Sequence, residues 1–243
     1  MKLINLRIVK KALESLIHYP FHPQWYTAHS RILKKQLKDI NSTNKILDIG
    51  CYDKWVQYYL DSQCSYIGLD YLETASNWYF SKPDIFGDAH TLPFSTNIFD
   101  KVLLLNVLEH VSCLDTVLKE SFRVLKKNGE AIIQIPFLYP IHDAPRDFIR
   151  ITQHGMADKS KKIGFKIVKS ISMGHPLETA ALLKNIAISK TFINCLKRKN
   201  PLCIATPILP FYFLFQNLTS FILSKLTISD NFMPYSYIFI LKK

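Results

Sequence analysis

Glycine is scarce in this chain, with 7 residues among 243. A sequence so poor in glycine keeps each one for a turn or a close backbone approach. Cysteine is equally uninformative as a framework. Cys51, Cys64, Cys113, Cys195 and Cys203 are odd in number and contain no C-x-x-C pair. That excludes a disulfide scaffold and a thiolate zinc site, and no metal is expected. The thiols read as reduced and mostly buried, as in a cytosolic protein. Residues 1–17 lack the continuous apolar core of a signal peptide, because Arg7, Lys10, Lys11 and Glu14 interrupt it. Acids are missing altogether between Glu178 and Asp230.

What is present is globular in character: 48% hydrophobic and 21% charged residues. The net charge of +12 fits an anionic partner, such as a nucleic acid, a membrane surface or an acidic substrate. It fits equally well a nucleotide bias toward Lys, Asn and Ile codons.

Leu3, Leu6, Val9, Leu13, Leu16 and Ile17 recur at helical spacing, so a helix is expected over 3–17 and a second over about 25–37. The period then changes. Short apolar runs at 45–50, 66–70, 84–88, 101–105 and 130–135 read as strands, with helices over 55–60 and 114–125 between them. A helix over 152–163, a strand over 165–172, a helical stretch over 175–198 and a last strand over 235–241 complete the pattern. Strand–helix alternation implies a doubly wound, mostly parallel sheet, whose ligands bind beyond the carboxyl ends of the strands. Asp48, Asp70, Asp88 and Asn106 all fall at such ends.

These segments resemble the class I S-adenosylmethionine-dependent methyltransferases of the type 11-like group. Ile46-Leu47-Asp48-Ile49-Gly50-Cys51 looks like the first motif, and Gly68-Leu69-Asp70 like the acid ending the second strand. Gly87-Asp88-Ala89 with Leu92-Pro93-Phe94 looks like the adenine-binding segment. Phe99 to Val102 and Asn106 to His110 look like the fourth strand and its loop, and Phe122 to Gly129 like the helix and turn before the fifth. The resemblance implies a Rossmann-like α/β fold. Seven strands are expected, the last antiparallel, with N-terminal helices and a helical apolar insert before the last strand. It implies three parts: 1–40, a methyltransferase domain over 41–174 plus 231–243, and an insert over 175–230.

It also implies S-adenosylmethionine as cofactor. Asp48 would hold its ammonium group, Gly50 would allow its close approach, and Asp70 would hold the ribose hydroxyls. Asp88 and Ala89 would meet the adenine, and Cys51, Tyr71 and Asn106 are further expected cofactor-binding residues. Tyr52 stands where the family commonly has another glycine. That departure motivates an alternative reading: a catalytically impaired scaffold that binds a membrane surface or a partner protein.

His110 and His142 are the expected catalytic residues, since histidine titrates near neutrality and a hydroxyl acceptor must lose a proton. The segment 142–152 reads as a substrate lid stiffened by Pro140 and Pro145, with Asp147 and Arg150 expected to contact substrate. A stretch like Pro136-Phe137-Leu138-Tyr139-Pro140, followed by His, Pro, Asp, Arg and Thr, resembles bacterial methyltransferases of cell-surface glycan biosynthesis. The expected acceptor is therefore a glycan or lipid-linked small molecule.

Asn200 to Ser224 carries no charge, while Lys184, Lys190, Lys197, Arg198, Lys199 and Lys225 lie around it. Pro201, Pro207 and Pro210 argue against one straight spanning helix. The segment reads either as an interfacial hairpin on an anionic membrane or as a helical cap or subunit interface. The protein is expected in the cytoplasm, with contact to the inner membrane face through 200–224. Nucleic acid is not expected as a partner, because the basic residues interleave with an apolar insert rather than a stacking platform.

Overall fold

Seven strands form one sheet in the order β3-β2-β1-β4-β5-β7-β6. They are β1 Lys45–Ile49, β2 Ser65–Asp70, β3 Ile85–Phe86, β4 Phe99–Leu105, β5 Leu125–Pro136, β6 Lys166–Met173 and β7 Ser236–Lys242. The computed structural model describes residues 16–28, 31–40, 43–230 and 232–243. Neighbours from β3 through β5 pair in parallel, and β7 runs antiparallel between β5 and β6. The Rossmann-like, mostly parallel sheet with an antiparallel last strand is thus present.

The helices are α1 Trp25–Ala28, α2 Arg31–Lys38, α3 Leu114–Val124, α4 Gln153–Ile163, α5 Pro176–Lys197 and α6 Leu209–Leu226. The helix expected over 3–17 lies outside the described residues except for a 3-10 turn at Leu16–His18. The expected helix over 55–60 is a 3-10 turn, Trp55–Tyr59.

Central strands are buried on both faces, which is why they read as unbroken apolar runs. Leu47, Ile49, Val102, Leu104, Ile133 and Ile135 join one core cluster with Leu114, Val117 and Leu118 of α3 and Met156 of α4. The alternate residues Ile46, Leu103 and Ile132 are buried as well. Each such side chain contributes about 1.5–3 kcal/mol relative to exposure. Helix α3 buries Leu114, Val117, Leu118, Ser121 and Val124, the stripe that helical periodicity demands.

One element begins earlier than its sequence suggests. Asn128-Gly129 reads as a turn ahead of a strand at Glu130, yet β5 starts at Leu125. Phe99 pairs with Leu125 and Lys101 with Glu130, so the turn is absorbed as an irregularity inside the strand. Asn128 takes a φ of 67° there. A Cβ on Gly129 would meet the Lys126 carbonyl oxygen at 2.9 Å.

The chain separates into two compact units. One comprises Arg31–Met173 and Tyr235–Lys243 and holds the whole sheet; the other comprises Met1–Ser30 and Gly174–Pro234. Helix α2 falls in the sheet unit. In the second unit Pro176 opens α5. The Leu177 amide donates to His175 Nδ1 at 3.2 Å, and the His175 amide to Glu178 Oε2 at 3.1 Å. A buried amide pair ties α5 to α6: Asn185 Nδ2 donates to Asn217 Oδ1 at 2.8 Å. Asn217 Nδ2 in turn donates to the Pro20 carbonyl at 2.6 Å, and Tyr26 Oη donates to the Asn217 carbonyl at 2.6 Å.

Candidate functional site

The carboxyl ends of β1, β2 and β4 meet at Gly50. Its φ is +71°, and a Cβ there would stand 2.5 Å from Val107 Cγ2. No side chain fits, so the chain leaving β1 passes directly against the loop that leaves β4. The amides of Gly50 and Cys51 both donate to the Leu69 carbonyl, at 2.8 and 3.2 Å. Tyr52 then takes a φ of 50°. L-residues resist that conformation by roughly 1–2 kcal/mol. The Tyr52 amide donates to Asp70 Oδ2 at 3.0 Å, which helps fix the turn. Its side chain is 39% exposed, so the ring is accommodated at the surface rather than in the core.

Two carboxylates sit behind this turn. Asp48 is buried, and burial pushes its carboxyl up to about 7. The Tyr66 hydroxyl donates to Asp48 Oδ2 at 2.6 Å and opposes that rise, while the Asp70 charge adds to it. Asp70 accepts from the Tyr71 amide at 2.7 Å and from Thr74 Oγ1 at 3.2 Å. A buried acid with a second acid nearby is a place where a cationic group binds favourably. Cys51 is buried too, and burial pushes its thiol up to about 12, so it lines the turn without being a nucleophile.

Asp88 and Ala89 follow the short β3. The Cys113 amide donates to His90 Nε2 at 3.3 Å, so Nδ1 carries the proton and donates to Asp88 Oδ1 at 2.7 Å. The His90 amide donates to the same oxygen at 2.8 Å. Burial would raise the Asp88 carboxyl, but these His90 contacts outweigh it and hold it below the usual range. Asn106 ends β4 at a φ of 57°, exposed, with its amide donating to the Gln134 carbonyl at 2.9 Å.

Beyond β4 and β5, on the same edge of the sheet, a second polar cluster forms. His110 lies in the turn Leu108–His110, and His142 in the loop after β5. Their rings stand 5.0 Å apart, edge to face. Between them is Glu109, fully buried, with His110 Nε2 3.8 Å and His142 Nε2 3.9 Å from its Oε1. Burial pushes the Glu109 carboxyl up to about 8. Burial also lowers His110, against a hydrogen bond from Nδ1 to the Arg146 carbonyl. The two expected catalytic histidines are thus brought together, although 31 residues separate them in the numbering shown.

Asp147 and Arg150 pair with each other in the loop after β5. Arg150 Nη1 and Nη2 grip Asp147 Oδ1 and Oδ2 at 2.5 and 2.8 Å. Arg150 pulls the Asp147 carboxyl down to about 2. Arg150 also donates to the Ile149, Tyr139 and Pro140 carbonyls, and Asp147 accepts the His142 amide at 3.0 Å. The pair holds the loop in shape. The loop is tied to the β4 turn by the Phe148 amide, which donates to the Glu109 carbonyl at 2.7 Å, and by His110 Nδ1 on the Arg146 carbonyl.

Several members of the site carry a sequence signal that was visible but weak. Glu109 is an acid inside an apolar stretch, Leu108 to Val111. Tyr66 alternates with Gly68 along β2. Val107, Thr74 and His90 carry none, because their roles depend on contacts across the sheet edge.

Residues 47–133 match the family model described as a methyltransferase domain. No curated protein sequence matches the chain. Among solved structures, a candidate methyltransferase from Bacillus halodurans is similar over 87% of this chain and 97% of its own, at 14% identity and a TM-score of 0.53. The Haemonchus contortus phosphoethanolamine N-methyltransferase 2, solved with S-adenosyl-L-methionine, aligns over 93% of this chain and 56% of its own, at 17% identity and a TM-score of 0.52. The [4+2]-cyclase SpnF aligns over 87% of this chain and 79% of its own, at 15% identity and a TM-score of 0.52. At these identities the likeness is one of fold.

Proposed function

We propose that this chain, an S-adenosylmethionine-dependent methyltransferase by its domain and fold, methylates an oxygen of a glycan or lipid-linked small acceptor. The observation that carries the reading is the division of labour along one sheet edge. Buried Asp48 and Asp70 stand at the carboxyl ends of β1 and β2, and the Glu109, His110 and His142 cluster stands beyond β4 and β5.

In this reading Asp48 attracts the cofactor's ammonium group, Asp70 accepts from the ribose hydroxyls, and Asp88 accepts from the adenine amino group, whose ring lies against the Ala89 amide. The sulfonium supplies the activated methyl group. The protein aligns the acceptor oxygen in line with the carbon–sulfur bond and keeps water away. A neutral hydroxyl must also lose its proton, and the histidine cluster is the place for that loss. The impaired-scaffold alternative is not favoured: the turn at Tyr52 closes with its amide on Asp70.

The acceptor's lipid-linked character is supported by the second unit. Residues Pro201–Leu226 form a helical stretch of mean hydropathy 1.3, with 11% of its apolar window buried. Phe211, Phe215, Ile222 and Leu226 are exposed along it. Contact with an anionic membrane surface on the cytoplasmic side is part of the proposal.

Calorimetric titration with S-adenosylmethionine and its demethylated product tests the first part. A labelled-methyl assay over glycan and lipid-linked acceptors tests the second. Absence of cofactor binding at millimolar concentration would sink the enzyme reading. Methylation of amines alone would sink the oxygen acceptor.

A further inference from the structure

Glu109 carries a charge problem that the described residues do not resolve. Its side chain is fully buried, and neither carboxylate oxygen hydrogen-bonds to another described residue. Burying such a group unpartnered is costly. The two imidazole nitrogens facing it are too far, at 3.8 and 3.9 Å, for a proton on Glu109 to bridge to either.

The tautomers sharpen the point. His110 Nδ1 faces the Arg146 carbonyl, which can only accept, so Nδ1 carries the proton and Nε2 presents a lone pair. His142 Nδ1 stands 3.3 Å from both Asp147 Oδ2 and the Pro140 carbonyl, again only acceptors. Its Nε2 likewise presents a lone pair. Two lone pairs and a carboxylate oxygen therefore converge, all within 4.8 Å of one another.

We propose that Glu109, His110 and His142 bind one divalent transition-metal cation, with the acceptor hydroxyl as a further ligand. Two imidazoles and one carboxylate suit Zn²⁺ and its neighbours Co²⁺, Fe²⁺ and Mn²⁺, whereas Mg²⁺ and Ca²⁺ prefer oxygen ligands. Ligand atoms about 2.1 Å from a tetrahedral ion stand about 3.4 Å from one another. Each histidine therefore closes on Glu109 by about 0.5 Å when the ion enters. The backing is already built. The Arg146 carbonyl and Asp147 hold the imidazoles from behind, and Arg150 holds Asp147 with two hydrogen bonds. Both histidine side chains keep partial exposure, which leaves the open coordination positions reachable.

The inference rests on the reading that the ends of β4 and β5 receive the acceptor, and it changes how the proton is lost there. With both lone pairs on the ion, the imidazoles are no longer bases. The cation lowers the pKa of the bound hydroxyl, and the proton leaves to solvent. The oxygen then forms its bond to the methyl carbon as the carbon–sulfur bond breaks, and sulfur keeps the electron pair as a neutral thioether. A vicinal diol, as in a sugar ring, offers oxygens to two open positions, so it is the acceptor class this site favours.

The test uses the full-length chain, stripped with a chelator and titrated with Zn²⁺, and separately with Co²⁺ followed by its visible absorption. One ion per chain is expected, with no comparable Mg²⁺ binding. Glu109→Gln and His142→Ala should each weaken binding at least tenfold, and Asp147→Asn about tenfold. Cys113→Ser should bind as the parent does. Cofactor titration of the same variants should be unchanged, because Asp48 and Asp70 lie elsewhere; this separates failure of the metal site from failure of the cofactor reading. Should Glu109→Gln not fold, His142→Ala decides. Failure of the stripped parent chain to take up an ion on titration, or parent-like binding by His142→Ala, overturns the proposal.

Discussion

The backbone amide of Tyr52 donates to Asp70 Oδ2 at 3.0 Å, so the turn after β1 is closed by the acid that ends β2. Because the bond comes from the backbone, it does not depend on which side chain stands at position 52. Tyr52→Gly, which suits a φ of 50°, should retain cofactor affinity within about threefold and shift Tm by only a few degrees. Asp70→Ala should weaken cofactor binding by at least about tenfold, since it removes both the proposed ribose acceptor and the turn closure. Calorimetry on the two variants checks the contrast; equal losses would contradict it.

Asp48 sets a pH dependence whose sign follows from burial. Its carboxyl is pushed up to about 7, so below that pH it is neutral and attracts no ammonium group. Cofactor affinity should rise as pH increases through 7 and level off above it. Asp48→Asn should lower affinity and flatten the profile. Folding stability should run the opposite way. The folded carboxyl lies above its unfolded value, so the neutral form's advantage is complete below about pH 4 and is lost as pH rises through 7. Denaturant titrations at several pH values, without cofactor, check the stability half.

Tyr66 donates to the same carboxylate, at 2.6 Å. Tyr66→Phe removes the hydrogen bond that opposes the upward shift. The affinity midpoint should therefore move to higher pH, with little change in affinity well above it. A downward shift would show that the hydroxyl does not favour the charged form.

Gly50 faces two separate obstacles to any side chain: a φ of +71° and Val107 Cγ2 at 2.5 Å from a would-be Cβ. Gly50→Ala should destabilise by about 1–3 kcal/mol. Adding Val107→Ala should recover the steric part but not the conformational part. Thermal denaturation of the single and double variants separates the two.

Asp147 and Arg150 form a two-pronged pair in which the Asp147 side chain is almost fully buried. Arg150→Ala leaves that carboxylate unpaired, and the loss should be about 3–5 kcal/mol. Arg150→Lys should recover little, because one ammonium cannot match two oxygens and the carbonyls behind them. The loop after β5 should then become protease-sensitive in both variants.

In the second unit, Phe211 and Phe215 are exposed on α6. If they meet lipid, Phe211→Asp with Phe215→Asp should abolish flotation with anionic vesicles while leaving cofactor binding intact. Unchanged flotation would remove the membrane part of the proposal.

Much of this protein is legible in its sequence. Unbroken apolar runs determine buried parallel strands and place Asp48, Asp70 and Asp88 on one edge, because these acids fall at or just past the carboxyl ends of strands that run the same way. The helix stripe of Leu114, Val117, Leu118, Ser121 and Val124 is set by a 3.6-residue period alone. Local signals failed where pairing overrode them, as at Asn128-Gly129, where the register between β4 and β5 draws a turn into the strand. The tertiary structure decided the rest. It turned Asp147 and Arg150 inward upon each other, because a buried carboxylate takes the nearest fork of donors. It closed the turn at Tyr52 with Asp70, which no spacing rule reveals. It also set Glu109 between His110 and His142, since loops leaving neighbouring parallel strands converge in space however far apart they lie along the chain.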